Sequence, residues 1–178
     1  MTAYIALFRG INVGGKNSLP MQGLRDILSS LGCTDVQTYI QSGNAVFSST
    51  ADTRSLTGKI GDAIDKRFGF APQVLLLTVE RFRAIAEANP FPDAENTPKH
   101  LHVAFLTSTA VDPDLEGLNA VKAPSEKFFL IGDAFYLHAP DGIARSKLAA
   151  KVDRCLGVST TGRNWNTVSK LIKLVTSA

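Results

Sequence analysis

The order of its apolar segments is the feature that most constrains the fold of this chain. In residues 1–77, a short apolar run at 4–8 precedes a stripe of apolar residues at helical spacing. Two strand-like runs, 36–40 and 45–48, then lie on either side of a turn, and a second helical stripe leads to the apolar run 74–77. This β-α-β-β-α-β order is that of the ferredoxin-like split βαβ unit.

The same order recurs after a polar connector. Strand patterns occupy 100–106, 127–131 and 134–138, with a short helical stretch before the second of them and a helix after the third. A last short strand is predicted at 158–161, and Asn164 is placed to cap a final helix. We therefore predict an α+β fold of two tandem ferredoxin-like βαββαβ halves (the alpha-beta plait) with antiparallel sheets. The predicted organisation is an N-terminal half at 1–77, a helix and linker at 78–98, and a C-terminal half at 99–178 with an extra C-terminal helix.

Polar residues and glycines predict where several helices begin and end. Asp52 can cap the second helix, and Gly69 can end it because a glycine accepts the left-handed conformation common at helix C-termini. In the second half, Asp112 and Pro113 are predicted to open the short helix, and Ser146 is predicted to cap the helix that follows the third strand pattern.

Length, composition and charge limit the classes of protein to which the chain can belong. It has 178 residues, of which 44% are hydrophobic, so it can bury a core. No apolar run approaches the roughly 20 residues of a membrane span, and no signal-peptide pattern is present. We expect a cytoplasmic protein without membrane contact, in which Cys33 and Cys155 are reduced. The net charge is +3, and the two ends of the sequence are basic, which weakly favours an anionic partner, although ordinary solubility charge explains it as well.

A glycine-rich loop follows the first strand and precedes the first helix. It supplies the first group of candidate ligand contacts: Arg9, Gly10, Asn12, Gly14, Gly15, Lys16 and Asn17. Glycines let the backbone approach a ligand closely, and a helix start presents N–H groups to an anion. The spacing matches neither G-x-x-x-x-G-K-[ST] nor G-x-G-x-x-G. A tight structural turn, with Arg9 paired to a carboxylate, is the alternative.

Two further patches carry hydrogen-bonding groups. Gln41, Ser42 and Asn44 lie at the tip of the predicted hairpin, where ordinary turn chemistry is the alternative and contact with the glycine loop is not required. Arg163, Asn164 and Asn166 lie at the predicted start of the last helix. Basic stripes on this helix and the preceding one could track a phosphate backbone, although a solvated helix face explains them as well.

Metal, cofactor and nucleophile patterns are weak. His100 and His102 would share a strand face, and His138 lies on another strand, but no carboxylate or cysteine stands nearby at ligand spacing. Neither cysteine has a histidine close in sequence, and G-x-S-x-G is absent. We predict no metal and no cofactor.

Four motifs resemble those of a known family. LFRGINVGGKN at 7–17, TYIQSGN at 38–44, NPF at 89–91 and TGRNWNTV at 161–168 look like the hallmarks of a family of small bacterial proteins labelled only as a domain of unknown function. The resemblance covers essentially the whole chain. It implies an alpha-beta plait with two ferredoxin-like halves, and it implies no activity.

Three functions are compatible with these features. The first is binding of a phosphate-bearing ligand, a nucleotide or nucleic acid, in one cleft lined by the glycine loop and the Arg163–Asn164 helix start. The second is hydrolysis or transfer of a phosphoryl or acyl-phosphate group, by analogy with acylphosphatase, in which Asn12 or Asn44 would position water. The third is a non-catalytic interaction protein. The oligomeric state is left open.

Overall fold

The computed structural model describes residues 1–176, in which the chain divides into two compact units. The first unit comprises Met1–Ala84 together with the described residues from Leu171 on, and the second comprises Ile85–Lys170. Both boundaries fall inside helices, so the limits of the units do not coincide with loops. The domain limits derived from periodicity stay a prediction.

Strands and helices of the first part of the chain follow the predicted order. They are β1 (Thr2–Arg9), α1 (Met21–Ser30), β2 (Thr34–Tyr39), β3 (Asn44–Ser49), α2 (Thr53–Phe68), β4 (Gln73–Thr78) and α3 (Val79–Glu87). The four strands form an antiparallel sheet with the order β2-β3-β1-β4. Leu7 of the central strand β1 lies opposite Asn44 of β3 and Leu75 of β4.

The core of the first unit explains why β1 is central. All residues from Tyr4 to Phe8 are buried, which suits a strand with neighbours on both edges and apolar contacts on both faces. Helices α1 and α2 contribute Leu24 and Ile60 to the same cluster as Phe8. Asp52 caps α2 by accepting a hydrogen bond from the N–H of Ser55 at 3.0 Å, as predicted.

The second unit repeats this arrangement. Its elements are β5 (Leu101–Leu106), α4 (Leu115–Val121), β6 (Lys127–Ile131), β7 (Ala134–His138), α5 (Val152–Leu156) and β8 (Thr160–Asn164), and the chain continues into α6 (Trp165–Thr176). The sheet order is β6-β7-β5-β8, which is the order of the first sheet position by position. The prediction of two ferredoxin-like βαββαβ halves is confirmed.

Local details of the second unit differ from the sequence-based expectation. Helix α4 is capped by Asp114, which accepts from the N–H of Gly117 at 2.8 Å, because Asp112 adopts a positive φ of 53° before the helix begins. Ser146 caps the short turn that leads into α5, accepting from the N–H of Ala149 at 2.9 Å. The last strand is Thr160–Asn164 rather than 158–161, so Arg163 lies on a strand and not in a loop.

No helix within residues 1–176 is both long and apolar enough to cross a membrane. The longest helix of the first unit, α2, has 16 residues and an exposed polar face.

Gly43 is the glycine that the packing of the first unit requires most directly. Its φ is 84°, and a Cβ placed there would lie 2.6 Å from Ile11 Cδ1 and 2.7 Å from Phe8 Cβ. Gly58 on α2 has helical geometry and open space around it, so the same added methyl group meets nothing there.

We expect Gly43→Ala to lower the free energy of unfolding by roughly 2–4 kcal/mol, because left-handed backbone and overpacking both oppose the methyl group. Gly58→Ala is the matched control and is expected to raise it by roughly 0.5–1 kcal/mol. Urea unfolding followed by circular dichroism measures both. Equal stability of the two variants would contradict this account.

Candidate functional site

The glycine loop folds into a tight hairpin of its own. The N–H of Lys16 donates to the carbonyl of Val13 at 3.0 Å, and the N–H of Asn12 donates to the carbonyl of Asn17 at 3.0 Å. The two central residues have positive φ, 58° at Gly14 and 74° at Gly15. Two consecutive positive φ angles define a type I′ turn, which explains the Gly-Gly pair at this position.

The side chain of Asn12 connects this hairpin to two other segments. Its amide nitrogen donates to the carbonyls of Leu19 at 2.9 Å and Gln41 at 2.7 Å. Its amide oxygen accepts from the N–H of Leu19 at 2.7 Å. Leu19 immediately precedes Pro20, the first flanking residue of α1. One side chain therefore joins the glycine loop, the start of α1 and the turn between β2 and β3.

The second predicted patch thus meets the first. The backbone N–H of Phe8 donates to the carbonyl of Gly43 at 2.9 Å, which closes the β2–β3 turn against the end of β1. Asn44 is fully buried, and its amide donates to Tyr39 O and Ser42 Oγ, both at 3.1 Å. Gln41 and Ser42 are exposed at the tip of the turn.

The asparagines of this region hold the loop in shape. Asn17 donates to the carbonyl of Gly10 at 2.9 Å, and its φ of 52° resembles the 53° of Asn12. Asparagine enters the left-handed region more readily than other non-glycine residues. The side-chain amides of Asn12, Asn17 and Asn44 all form hydrogen bonds within the unit. These amides are therefore not the groups that the turn presents on its outer surface.

Those outer groups are the backbone of Gly14 and Gly15 and the side chain of Lys16. All three residues are exposed, and the Lys16 side chain makes no hydrogen bond or ion pair within residues 1–176. Arg9 is also exposed, at the end of β1. A Cβ at Gly14 or Gly15 would have no atom within 4 Å, so the positive φ angles, and not crowding, explain why glycine occupies these positions.

The charged side chains of the sequence that leads into and out of the loop are all basic. The first 25 residues contain Arg9, Lys16 and Arg25 and no carboxylate side chain. Helix α1 has no acidic residue in its first turn and no side-chain cap at its N-terminus. The positive end of its dipole is therefore not offset by a local side chain.

The third predicted patch lies in the second unit. Asn164 ends β8 and caps α6, as predicted, by accepting from the N–H of Thr167 at 3.1 Å. Asn166 is exposed in the first turn of that helix. Arg163 donates to the carbonyl of Gly162 at 2.8 Å, and burial lowers the pKa of its guanidinium to about 10, so it stays charged at neutral pH. That this patch shares a cleft with the glycine loop stays a prediction.

A cavity of about 330 Å³ lies on the helix-covered face of the second sheet, and two of the predicted site residues, Arg163 and Asn164, are part of its lining. Its lining is mainly apolar, with His102, Arg163 and Asn164 among the polar residues. Register places His102 opposite both Leu137 of β7 and Asn164 of β8, so these three side chains share one face of the sheet.

The imidazole of His102 is only half satisfied. Its Nε2 is buried and has no hydrogen-bond partner within the described residues. Burial lowers the pKa of His102, a hydrogen bond to the backbone of Lys99 opposes that effect, and the neighbouring His100 adds to it.

Metal-ligand chemistry finds no support in the geometry. Within residues 1–176, no group of three or more His, Cys, Asp and Glu side chains is arranged to hold a metal ion. Cys33, which is buried, and Cys155, which is partly buried, are both free.

Fold and sequence together assign the chain to a family of proteins of unknown function. A family model described as "Protein of unknown function (DUF1697)" matches residues 1–136, and the chain belongs to this family. The family predicted from the motifs is confirmed by this match, which ends before the motif at 161–168.

A solved structure has a similar fold. The chain is similar to the conserved bacterial protein SP0830 from Streptococcus pneumoniae, with 27% identity and a TM-score of 0.74, over 97% of this chain and 98% of that one. A comparison with curated proteins found no match.

Removal of the Asn12 side chain tests its role in building the loop. We expect Asn12→Ala to lower the free energy of unfolding by roughly 2–4 kcal/mol, because three hydrogen bonds are lost and alanine resists positive φ. Asn12→Gly removes the same hydrogen bonds, but glycine tolerates the positive φ, so the decrease in the free energy of unfolding should be smaller. Asn166→Ala, at an exposed position, is the control and should stay within about 0.5 kcal/mol of wild type. Denaturant unfolding measures all three, and a wild-type value for Asn12→Ala would exclude the structural role.

The lowered pKa of His102 predicts a pH dependence of stability. The folded protein favours the neutral ring more than the unfolded chain does, whose ordinary value is 6.5. The contribution of His102 is therefore complete above pH 6.5 and is lost as the pH falls below it. We expect His102→Leu to flatten the fall in unfolding free energy on acidification. If the unfolding free energies of variant and wild type depend on pH in the same way, His102 does not titrate differently in the folded and unfolded states.

Proposed function

We propose that this protein binds a phosphate-bearing ligand, a nucleotide or nucleic acid, at the glycine loop of its first unit. The observation that carries the proposal is the set of Asn12 hydrogen bonds, which fix an exposed Gly14–Gly15 turn beside the N-terminus of α1. A rigid turn with accessible amides, next to an uncapped helix start, suits an anion.

Lys16 supplies the charge in this proposal. Its ammonium group lies on the same turn as the two glycines, and no side chain of the described residues neutralises it. A lysine ammonium is a mobile point charge that pairs well with phosphate. The exposed Arg9 and the absence of carboxylates from the first 25 residues add to the attraction.

The proposal is one of binding rather than hydrolysis. The two side chains considered for positioning water, Asn12 and Asn44, bond within the loop and the neighbouring turn.

We also propose that Arg163, Asn164 and Asn166 are ligand contacts of the second unit, to be tested by their own variants. A cytoplasmic location is part of the proposal and is supported by the two free cysteines.

Loss of the Lys16 charge should weaken binding without changing the fold. We expect Lys16→Gln to lower the affinity for ATP and for a fluorescent single-stranded RNA severalfold at low salt. A plot of log affinity for the RNA against log salt concentration has a negative slope. Its magnitude should decrease by about 0.7 in the variant, the value for one lost phosphate contact. Fluorescence anisotropy and calorimetric titrations at a series of salt concentrations measure these quantities.

Lys59→Gln is the matched control, because Lys59 is an exposed lysine on α2 of the same unit. Its affinity should equal that of wild type. The proposal is wrong if neither ATP nor RNA binds to wild type, or if both lysine variants reduce affinity equally, since general charge would then explain the effect.

A further inference from the structure

One edge of the second sheet carries backbone groups without a strand partner. Strand β6 is a terminal strand of that sheet, and within residues 1–176 its only strand neighbour is β7. The β6–β7 hairpin closes at Ile131 and Ala134, which form a hydrogen-bonded pair because a two-residue turn joins them. Since hydrogen-bonded and non-hydrogen-bonded pairs alternate along antiparallel strands, Phe128 and Leu130 direct their N–H and C=O groups away from β7.

The side chains of β6 are apolar on both faces of the sheet. On one face Phe129 is 53% exposed and Ile131 is 42% exposed, and on the other face Phe128 and Leu130 are half-buried. The one charged residue of β6, Lys127, is at its first position. An apolar edge of this kind pairs readily with another strand, and natural proteins usually protect it with charges, bulges or prolines.

The equivalent edge of the first unit has such protection. Strand β2 occupies the same position in its sheet as β6 does, but its register with β3 shifts between Thr34 and Gln37. Asp35, within this shift, is exposed and adopts a φ of 54°. Strand β6 keeps one continuous register with β7 from Lys127 to Ile131. The same edge is thus protected in the first unit and open to a partner strand in the second.

We propose that β6 pairs in antiparallel fashion with β6 of a second copy of this chain, about a two-fold axis at Phe129. This register places Phe128 opposite Leu130 of the second copy, so the outward N–H and C=O groups of both residues form hydrogen bonds. Phe129 lies opposite Phe129 in a non-hydrogen-bonded pair, in which side chains approach most closely. Each exposed ring then covers the other, and aromatic cross-strand pairs are stabilising.

The charges around β6 agree with a second copy as the partner. Lys127 begins the strand and Asp133 follows it in the turn, so the two-fold pairing puts Lys127 of one copy at the Asp133 end of the other. The two Lys127 residues are about 14 Å apart along the strands. This exceeds the Debye length of about 8 Å at physiological ionic strength, so their repulsion is screened.

The NPF motif at 89–91 supports the ring at the centre of this pair. The Asn89 side chain accepts from the N–H of Phe91 at 3.0 Å and donates to its carbonyl at 3.3 Å. The Phe91 ring lies 5.6 Å from the Phe129 ring and 6.0 Å from the His138 ring, centroid to centroid. Phe129 is therefore held by a neighbour before pairing, so less side-chain freedom is lost when the two copies associate.

The strength of the dimer follows from the size of the contact. β6 has 5 residues, so the pairing is smaller than a standard protein–protein interface. We expect a reversible dimer with a Kd of about 10–100 µM.

Sedimentation equilibrium of the full chain from about 10 µM to about 1 mM tests the proposal. We expect a monomer–dimer equilibrium, with slower hydrogen exchange at the Phe128 and Leu130 amides as the concentration rises. A monomer throughout this range overturns the proposal and leaves the edge to a segment of a different protein. A dimer in which the exchange of these two amides does not change overturns it as well.

Charges introduced at the axis test the register. Phe129→Lys and Phe129→Glu each place like charges directly opposite one another, so each variant alone should dimerise at least about tenfold more weakly than wild type. An equimolar mixture of the two should dimerise more tightly than either alone, because the facing charges are then opposite. Wild-type affinity in either variant, or no gain in the mixture of folded variants, contradicts the two-fold register at Phe129.

Gln37→Lys is the matched control, because Gln37 is exposed on β2, the equivalent edge strand of the first unit. Its dimerisation should equal that of wild type, and an equal loss in Gln37→Lys and Phe129→Lys would attribute the effect to general charge and overturn the assignment to β6. Lys16→Gln should leave dimerisation unchanged, so this proposal and the ligand site at the glycine loop succeed or fail separately.

Discussion

The central position of β1 is the constraint on which the first unit depends. Because β3 and β4 pair with its two edges in antiparallel fashion, the end of β1 lies beside the beginning of β3. The chain that leaves β1 after Arg9 must therefore pass the turn that precedes Asn44. The bonds from Phe8 to Gly43 and from Asn12 to Gln41 are the direct result. The meeting of the two predicted patches is a property of sheet order.

This dependence changes the meaning of the polar residues in the loop. Sequence reasoning treats Asn12, Asn17 and Asn44 as donors available to a ligand, because an asparagine in a glycine-rich loop has that chemistry. In the structure they satisfy backbone carbonyls that the tight turns would otherwise leave without partners. The amides donate hydrogen bonds as expected, but to the protein's own backbone and not to a ligand. What a ligand can reach is the backbone of the turn and Lys16.

The fold could be predicted from the sequence because its signals are local. The two apolar runs on either side of Gly132, which become β6 and β7, and the cap of α2 at Asp52 are properties of a few neighbouring residues. The cavity could not be predicted, because it depends on register. The last strand is placed two residues later than periodicity indicates, and only the pairing of β5 with β8 puts His102 opposite Asn164. Periodicity assigns faces within one strand, and it does not specify which residues of separate strands are partners.

The glycines of the first unit also have a consequence for comparing members of the family. Gly43 is required by the side chains of Ile11 and Phe8, so natural selection for folding alone suffices to retain it. Gly14 and Gly15 stand in open space, and a type I′ turn also accepts asparagine or aspartate at the first of these two positions. Crowding therefore does not require glycine at position 14, as it does at position 43. Divergence at 14 is thus free of the packing constraint that Ile11 and Phe8 impose at 43.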